Sequence, residues 1–245
     1  MPENPEIKIK FDILKKYLPW LAACPYTRVV FLAGSVATKN PKPESDIDLI
    51  IISEHKRVWL NRLFLELGTW VLGIRRSRKK IKNRFCFNMF LSNCSPALPH
   101  QDLIGASFYK NIKPAWGDKR EIKNFWKDNS WLIKFYNLSN ENEKIIFPEK
   151  NKITNFIKIF LEFFLEKTKL AVLLEKISLK LQTTYIKSRL EKTVADKNSK
   201  DFDFNLTADL IAYHFPVSNY ALKLKKYREN NGFSDVVDKT PEKFL

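Results

Sequence analysis

Apolar residues at Ile9, Phe11, Ile13, Leu14, Tyr17, Leu18 and Leu21 recur at roughly helical spacing and predict an opening helix that packs on a sheet. Val29 to Ala33 follows, a β-branched and aromatic run that stops at Gly34 and reads as a short buried strand. Asn40, Pro41 and Pro43 hold the next stretch out of helix and sheet, and an extended run resumes from Asp46 to Ile52. His55 to Ile74 is apolar almost all round and predicts a helix ending near Gly73, buried against the sheet. It is too short to span a bilayer and carries Arg62 and Glu66. Phe85 to Leu91 predicts a third strand, with Asn88 the only polar residue in its apolar interior.

The second half reads as helical. Ser92 to His100, SNCSPALPH, is a loop and the expected boundary between a first domain, 1–98, and a helical domain, 99–245. Short helices are expected over 101–110 and 120–137, around a turn at Pro114 to Gly117. After a polar break over 140–152, the apolar stripe Ile153, Phe156, Ile157, Phe160, Phe163, Phe164, Leu170, Leu174, Ile177 and Leu181 predicts one long amphipathic helix toward Arg189, its stripe explained by core packing. A turn-rich linker, 196–205, one or two helices over 206–230 broken near Pro216, and a polar tail complete the chain. No repeat of fixed period is present.

The chemistry concentrates between the first two strands. Residues two apart on a strand share a face, so Asp46 and Asp48 project together while Ile47 and Leu49 pack on the other side. Two such carboxylates repel, and a pair of divalent cations about 3.5–4 Å apart would relieve the repulsion. A turn cap at Asp46 and a solvated strand end at Asp48 would account for the same letters. Gly34 lets a backbone or a phosphate approach closely, and Ser35 offers a hydroxyl and an N–H to an anion; an ordinary strand-ending turn is the plainer reading.

Gly34-Ser35, ten intervening residues, then Asp46-Ile47-Asp48-Leu49, each motif attached to an apolar strand, resembles the signature of the polymerase-β-type nucleotidyltransferase superfamily. The resemblance implies an α+β fold: a small mixed sheet with packed helices, followed here by the helical C-terminal region. It implies transfer of a nucleotidyl group from an NTP such as ATP to a hydroxyl acceptor, with magnesium or manganese. Gly34 and Ser35 would hold the triphosphate, and Asp46 and Asp48 would bind the metal and carry catalysis. A third carboxylate commonly sits on the third strand of that superfamily. Here no acid lies between Arg78 and Gln101, which leaves Asn88 as the residue in its place. An amide can ligate a cation through oxygen but cannot take a proton as a carboxylate does. The alternative is therefore a catalytically degenerate fold that binds nucleic acid or a protein partner.

Charge narrows the partner. The 245 residues carry a net charge of +16, and Arg75 to Arg84, RRSRKKIKNR, is dense in basic residues. Such an excess points to an anionic partner, RNA or DNA before a membrane surface, and Arg75, Arg76, Lys79 and Lys80 are the expected phosphate contacts. Cys24, Cys86 and Cys94 are odd in number and widely spaced, which argues against a disulfide framework and for a reducing cytoplasm. His55, His100 and His214 lack metal-ligand spacing, so no zinc site is expected.

Overall fold

The computed structural model describes residues 4–136, 145–147, 152–197 and 202–216. Helix α1, Pro5–Ala23, begins as the sequence dictates: Asn4 caps it by accepting from the Glu6 N–H, and Pro5 occupies the first turn. Strand β1, Thr27–Leu32, leads into a single-turn helix α2, Gly34–Ala37. Then come β2, Ile47–Ser53, α3, Val58–Val71, and β3, Phe85–Ser92. Next are α4, Leu103–Tyr109, β4, Lys113–Gly117, α5, Lys119–Asp128, and a 3-10 turn, Ser130–Lys134. Helices α6, Lys152–Lys167, and α7, Leu170–Lys197, precede a hairpin of β5, Phe202–Leu206, and β6, Leu210–Pro216.

The strands form one mixed sheet in the order β4-β1-β2-β3-β6-β5. Among the described strands, β2 and β3 pair in parallel, joined by α3 as the crossover, and the other neighbours are antiparallel. Period-two alternation then builds a core on each face. Val30, Leu32, Leu49 and Ile51 face α1 and α3, meeting Leu14, Leu18, Trp59 and Leu65. Val29, Phe31, Ile50 and Ile52 face the other way, against Ala106 and Tyr109 of α4 and Ile122 and Phe125 of α5.

The expected α+β sheet with packed helices is present, with additions from the second half of the chain. The boundary expected at 98/99 does not divide the sheet, because β4 pairs with β1 and β6 pairs with β3. The segment read as a Pro114 to Gly117 turn is the outermost strand β4, a position where proline is tolerated; the Pro114 and Ala115 carbonyls accept from the Ile146 and Phe147 N–H groups at 2.9 and 3.0 Å. Likewise 206–216 contributes strand where helix was expected; 217–230, the 198–201 part of the linker, and the tail lie outside the described residues. The long helix is broken into α6 and α7 at Lys169, whose φ of 59° no helix accommodates.

Helix α6 also inverts its expected packing. Ile153, Phe156, Phe160 and Phe163 are exposed, whereas the sheet side is charged. Buried Lys158 donates to the Thr27 carbonyl, Glu162 accepts from the Tyr26 N–H at 2.6 Å and from both terminal nitrogens of Arg28, and Glu166 pairs with Arg57 at 2.8 Å. Core packing thus does not account for most of the α6 stripe. On α3, the first two turns are buried while Leu67, Trp70 and Val71 face solvent.

Candidate active site

The two aspartates meet at the N-terminal ends of the parallel strands. Asp48 is the second residue of β2 and pairs in register with Cys86 on β3, while Asp46 stands just before the strand. Ligand atoms of Asp46, Asp48 and Cys86 lie within 4.8 Å of one another. Between Leu49 and Ile50 the register shifts, and Asn88 is the extra residue of this β-bulge, a device that re-aims side chains beside functional sites. Asn88 Nδ2 donates to Asp48 Oδ1 at 2.8 Å, and its own Oδ1 accepts from Cys86 Sγ at 3.1 Å. Asn88 therefore lies beside the acidic pair, as its place on the third strand predicts.

Electrostatics record the crowding. Burial, and then the Asp46 charge, push the Asp48 carboxyl up to about 6, against the pull of the Asn88 hydrogen bond and Arg76. Arg76 Nε lies 2.7 Å from Asp46 Oδ2 and balances one of the two charges. Cys86 is buried, and burial followed by the repulsion of Asp48 and Asp46 pushes its thiol up to about 12. It stays protonated at neutral pH and holds the Asn88 amide oxygen, so the ligands on offer to a hard cation are the carboxylate oxygens of Asp46 and Asp48. Oxygen ligands and an electrostatic repulsion that a cation relieves fit a magnesium- or manganese-type ion held by Asp46 and Asp48.

Gly34 closes the other side. Its φ is 62°, and a Cβ placed there would stand 1.9 Å from Asp48 Oδ2. No side chain fits between this turn and the carboxylate, so the Gly34 backbone lies directly against Asp48. The Ala33 N–H donates to the Asp48 carbonyl at 2.9 Å, which fixes the turn to β2. Helix α1 supports the same corner: Asn4 donates to the Pro41 carbonyl, and fully buried Lys10 donates to Asn83 Oδ1 at 2.9 Å at the far end of the basic loop.

The four basic residues singled out in the sequence divide into two kinds. Arg75 is engaged inward, paired with Glu66, donating to the Phe85 carbonyl at 3.2 Å and lying 5.4 Å from the Phe87 ring centroid. Arg76 pairs with Asp46, whereas Lys79 and Lys80 are exposed on the turn from Ser77 to Lys80. Exposed Arg78 lines a cavity of about 460 Å³ with Tyr185, Ser188 and Arg189 of α7. Sequence reasoning missed Cys86, although it stands two residues before Asn88 and thus on the same strand face. It also missed the Arg76 contact to Asp46, which no spacing reveals.

No curated protein and no solved structure matches the chain. A family model described as "Nucleotidyltransferase domain" matches residues 12–89, from within α1 to Met89 on β3, a segment that contains Gly34, Ser35, Asp46, Asp48 and Asn88. Residues 12–89 thus match the nucleotidyltransferase-domain family, in agreement with the polymerase-β-type superfamily that the Gly-Ser and Asp-x-Asp spacing resembles.

Proposed function

We propose that the protein is a metal-dependent nucleotidyltransferase that moves a nucleotidyl group from an NTP to a hydroxyl of a nucleic-acid acceptor, releasing pyrophosphate. The observation that carries this reading is the convergence of Asp46, Asp48 and the side-chain-free face of Gly34 within a matched nucleotidyltransferase domain. Asp46 and Asp48 would hold magnesium or manganese, which supplies positive charge against the phosphoryl oxygens. Gly34 and Ser35 give the triphosphate a close backbone approach with a hydroxyl and N–H donors. Asn88 orients the Asp48 carboxylate and cannot itself accept the acceptor's proton. The net charge of +16, with exposed Arg78, Lys79 and Lys80 on the loop that also carries Arg76, favours a polyanionic acceptor.

Two observations favour the degenerate, binding-only reading: the amide of Asn88 stands beside Asp48 where a third carboxylate is expected, and Arg76 already neutralises Asp46. A single assay separates the two. Protein is incubated with magnesium or manganese, each NTP labelled at the α-phosphate, and total RNA. Labelled product that disappears with Asp46→Asn and Asp48→Asn supports transfer; NTP or RNA binding with no labelled product under any condition supports the binding module and rejects the enzyme.

A further inference from the structure

At the opposite ends of β2 and β3, roughly 17 Å from the acidic pair at the usual strand rise, three side chains converge that nucleotidyl transfer does not use. His55 follows the end of β2, Cys94 follows the end of β3, and Asp209 stands in the turn between β5 and β6. Cys94 Sγ lies 2.9 Å and Asp209 Oδ1 3.2 Å from the same ring nitrogen, His55 Nδ1. The three ligand atoms lie within 4.8 Å of one another. Ser92 Oγ is 3.3 Å from that nitrogen and 3.4 Å from Cys94 Sγ.

We propose that His55, Cys94 and Asp209 form a zinc-binding site that clips the β5–β6 hairpin to the nucleotidyltransferase sheet. The donor set is one imidazole nitrogen, one thiolate and one carboxylate oxygen, the mixture that suits a borderline-soft tetrahedral ion rather than magnesium. Around zinc such ligands stand about 3.4–3.6 Å apart, given bonds of about 2.0–2.3 Å. The Asp209 oxygen is already near that spacing from Nδ1, at 3.2 Å, and the Cys94 sulfur has to draw back from it by about 0.6 Å. A thiolate and a carboxylate together match the ion's two charges, and water or the Ser92 hydroxyl supplies the fourth ligand.

The backbone holds the three donors in place. The Ser92 N–H donates to the Asp209 carbonyl at 2.8 Å, the His55 N–H to Asn93 Oδ1 at 2.9 Å, and the Asn93 N–H to the Ser53 carbonyl at 2.8 Å. A Cys-His-Asp nucleophile is a poorer account. In such a triad the thiol and the carboxylate bind opposite ring nitrogens, whereas here both approach Nδ1. No spacing motif announces the site, because Cys94 and Asp209 lie 39 and 154 residues from His55 and only the sheet order brings them together.

Zinc is titrated into full-length protein against a chromophoric chelator, using wild type, Cys94→Ser, Asp209→Asn and Asp48→Asn. One equivalent is expected to bind wild type and Asp48→Asn alike, with affinity falling roughly 100-fold or more in Cys94→Ser and roughly tenfold or more in Asp209→Asn. A measurement on wild type alone guards against misfolded variants: zinc should slow iodoacetamide labelling of Cys94, the exposed cysteine, located by peptide mapping. Undiminished labelling in saturating zinc overturns the proposal. So does zinc binding that survives Cys94→Ser but is lost in Asp48→Asn, which would place the ion at the acidic pair.

Discussion

Asp48 couples the site to pH in a direction that can be worked out. Its carboxyl is raised to about 6 from an ordinary value near 3.8, by burial first and Asp46 second. The native state therefore holds this proton more tightly than the unfolded state does. The associated stability is fully present below about pH 4 and is lost as pH rises through about 6, by at most roughly 3 kcal/mol. Asp48→Asn keeps the Asn88 contact and removes the buried charge, so in EDTA it should match wild type at pH 4 and exceed it by about 1–3 kcal/mol at pH 7.5, read by urea unfolding. The same variant should lose nucleotidyl transfer. Equal stability at both pH values would show that Asp48 is not desolvated as its position implies. Gly34→Ala tests the facing wall: a methyl 1.9 Å from Asp48 Oδ2, at a φ of 62°, should cost about 2 kcal/mol or more and abolish metal-stimulated nucleotide binding. Both aspartates and the glycine were legible in the sequence because period-two spacing and a strand-ending glycine are local signals. The Arg76 contact to Asp46 was not, since it depends on a loop returning over the strand, whereas the Cys86 contact to Asn88 lies within β3 and follows the same period-two spacing.

Strand β2 and helix α3 could be read from the chain because each buries an apolar pattern of its own period. Strand β4 could not: Pro114 and Gly117 are turn residues by local preference, and only an edge position beside β1 makes them compatible with a strand. Strand β6 owes its place to pairing with β3, more than a hundred residues away, and α6 to ion pairs that hydropathy cannot anticipate. That last dependence is testable. Glu162 is largely covered and takes hydrogen bonds from Arg28 and from the Tyr26 N–H. Glu162→Ala leaves the Arg28 charge with Glu54 alone and should destabilise the protein by about 1–3 kcal/mol, with amide exchange rising along α6 before the sheet. Phe163→Ala, on the exposed face of the same helix, should change stability by less than about 0.5 kcal/mol. If the two substitutions cost the same, the charged face is not what holds α6 down.

At the scale of the whole molecule, the excess of positive charge has to be divided between residues that build the fold and residues that face a partner. Arg75 and Arg76 belong to the first group through Glu66 and Asp46; Arg78, Lys79, Lys80 and Lys82 are exposed on the same loop. Phosphate contacts release counterions, so affinity for a single-stranded RNA should fall linearly on a log–log plot against salt, with a slope near 0.7 per contact. Replacing Arg78, Lys79 and Lys80 with glutamine should lower RNA affinity at 100 mM salt and reduce that slope by about 2, while urea unfolding stays within about 0.5 kcal/mol of wild type. Arg75→Gln should behave in the opposite way, destabilising the protein because it leaves Glu66 to Arg62 alone and removes the donor to the Phe85 carbonyl, with little change of slope in the fraction that remains folded. Among the described residues no helix is long and apolar enough to cross a membrane, yet exposed Trp70 and Val71 precede this basic loop and together would suit an anionic lipid surface. Liposomes containing phosphatidylserine, compared with RNA at two salt concentrations, separate the two partners. Loss of RNA binding in the triple variant with liposome binding absent throughout assigns the loop to nucleic acid, and unchanged RNA binding removes it from the acceptor path.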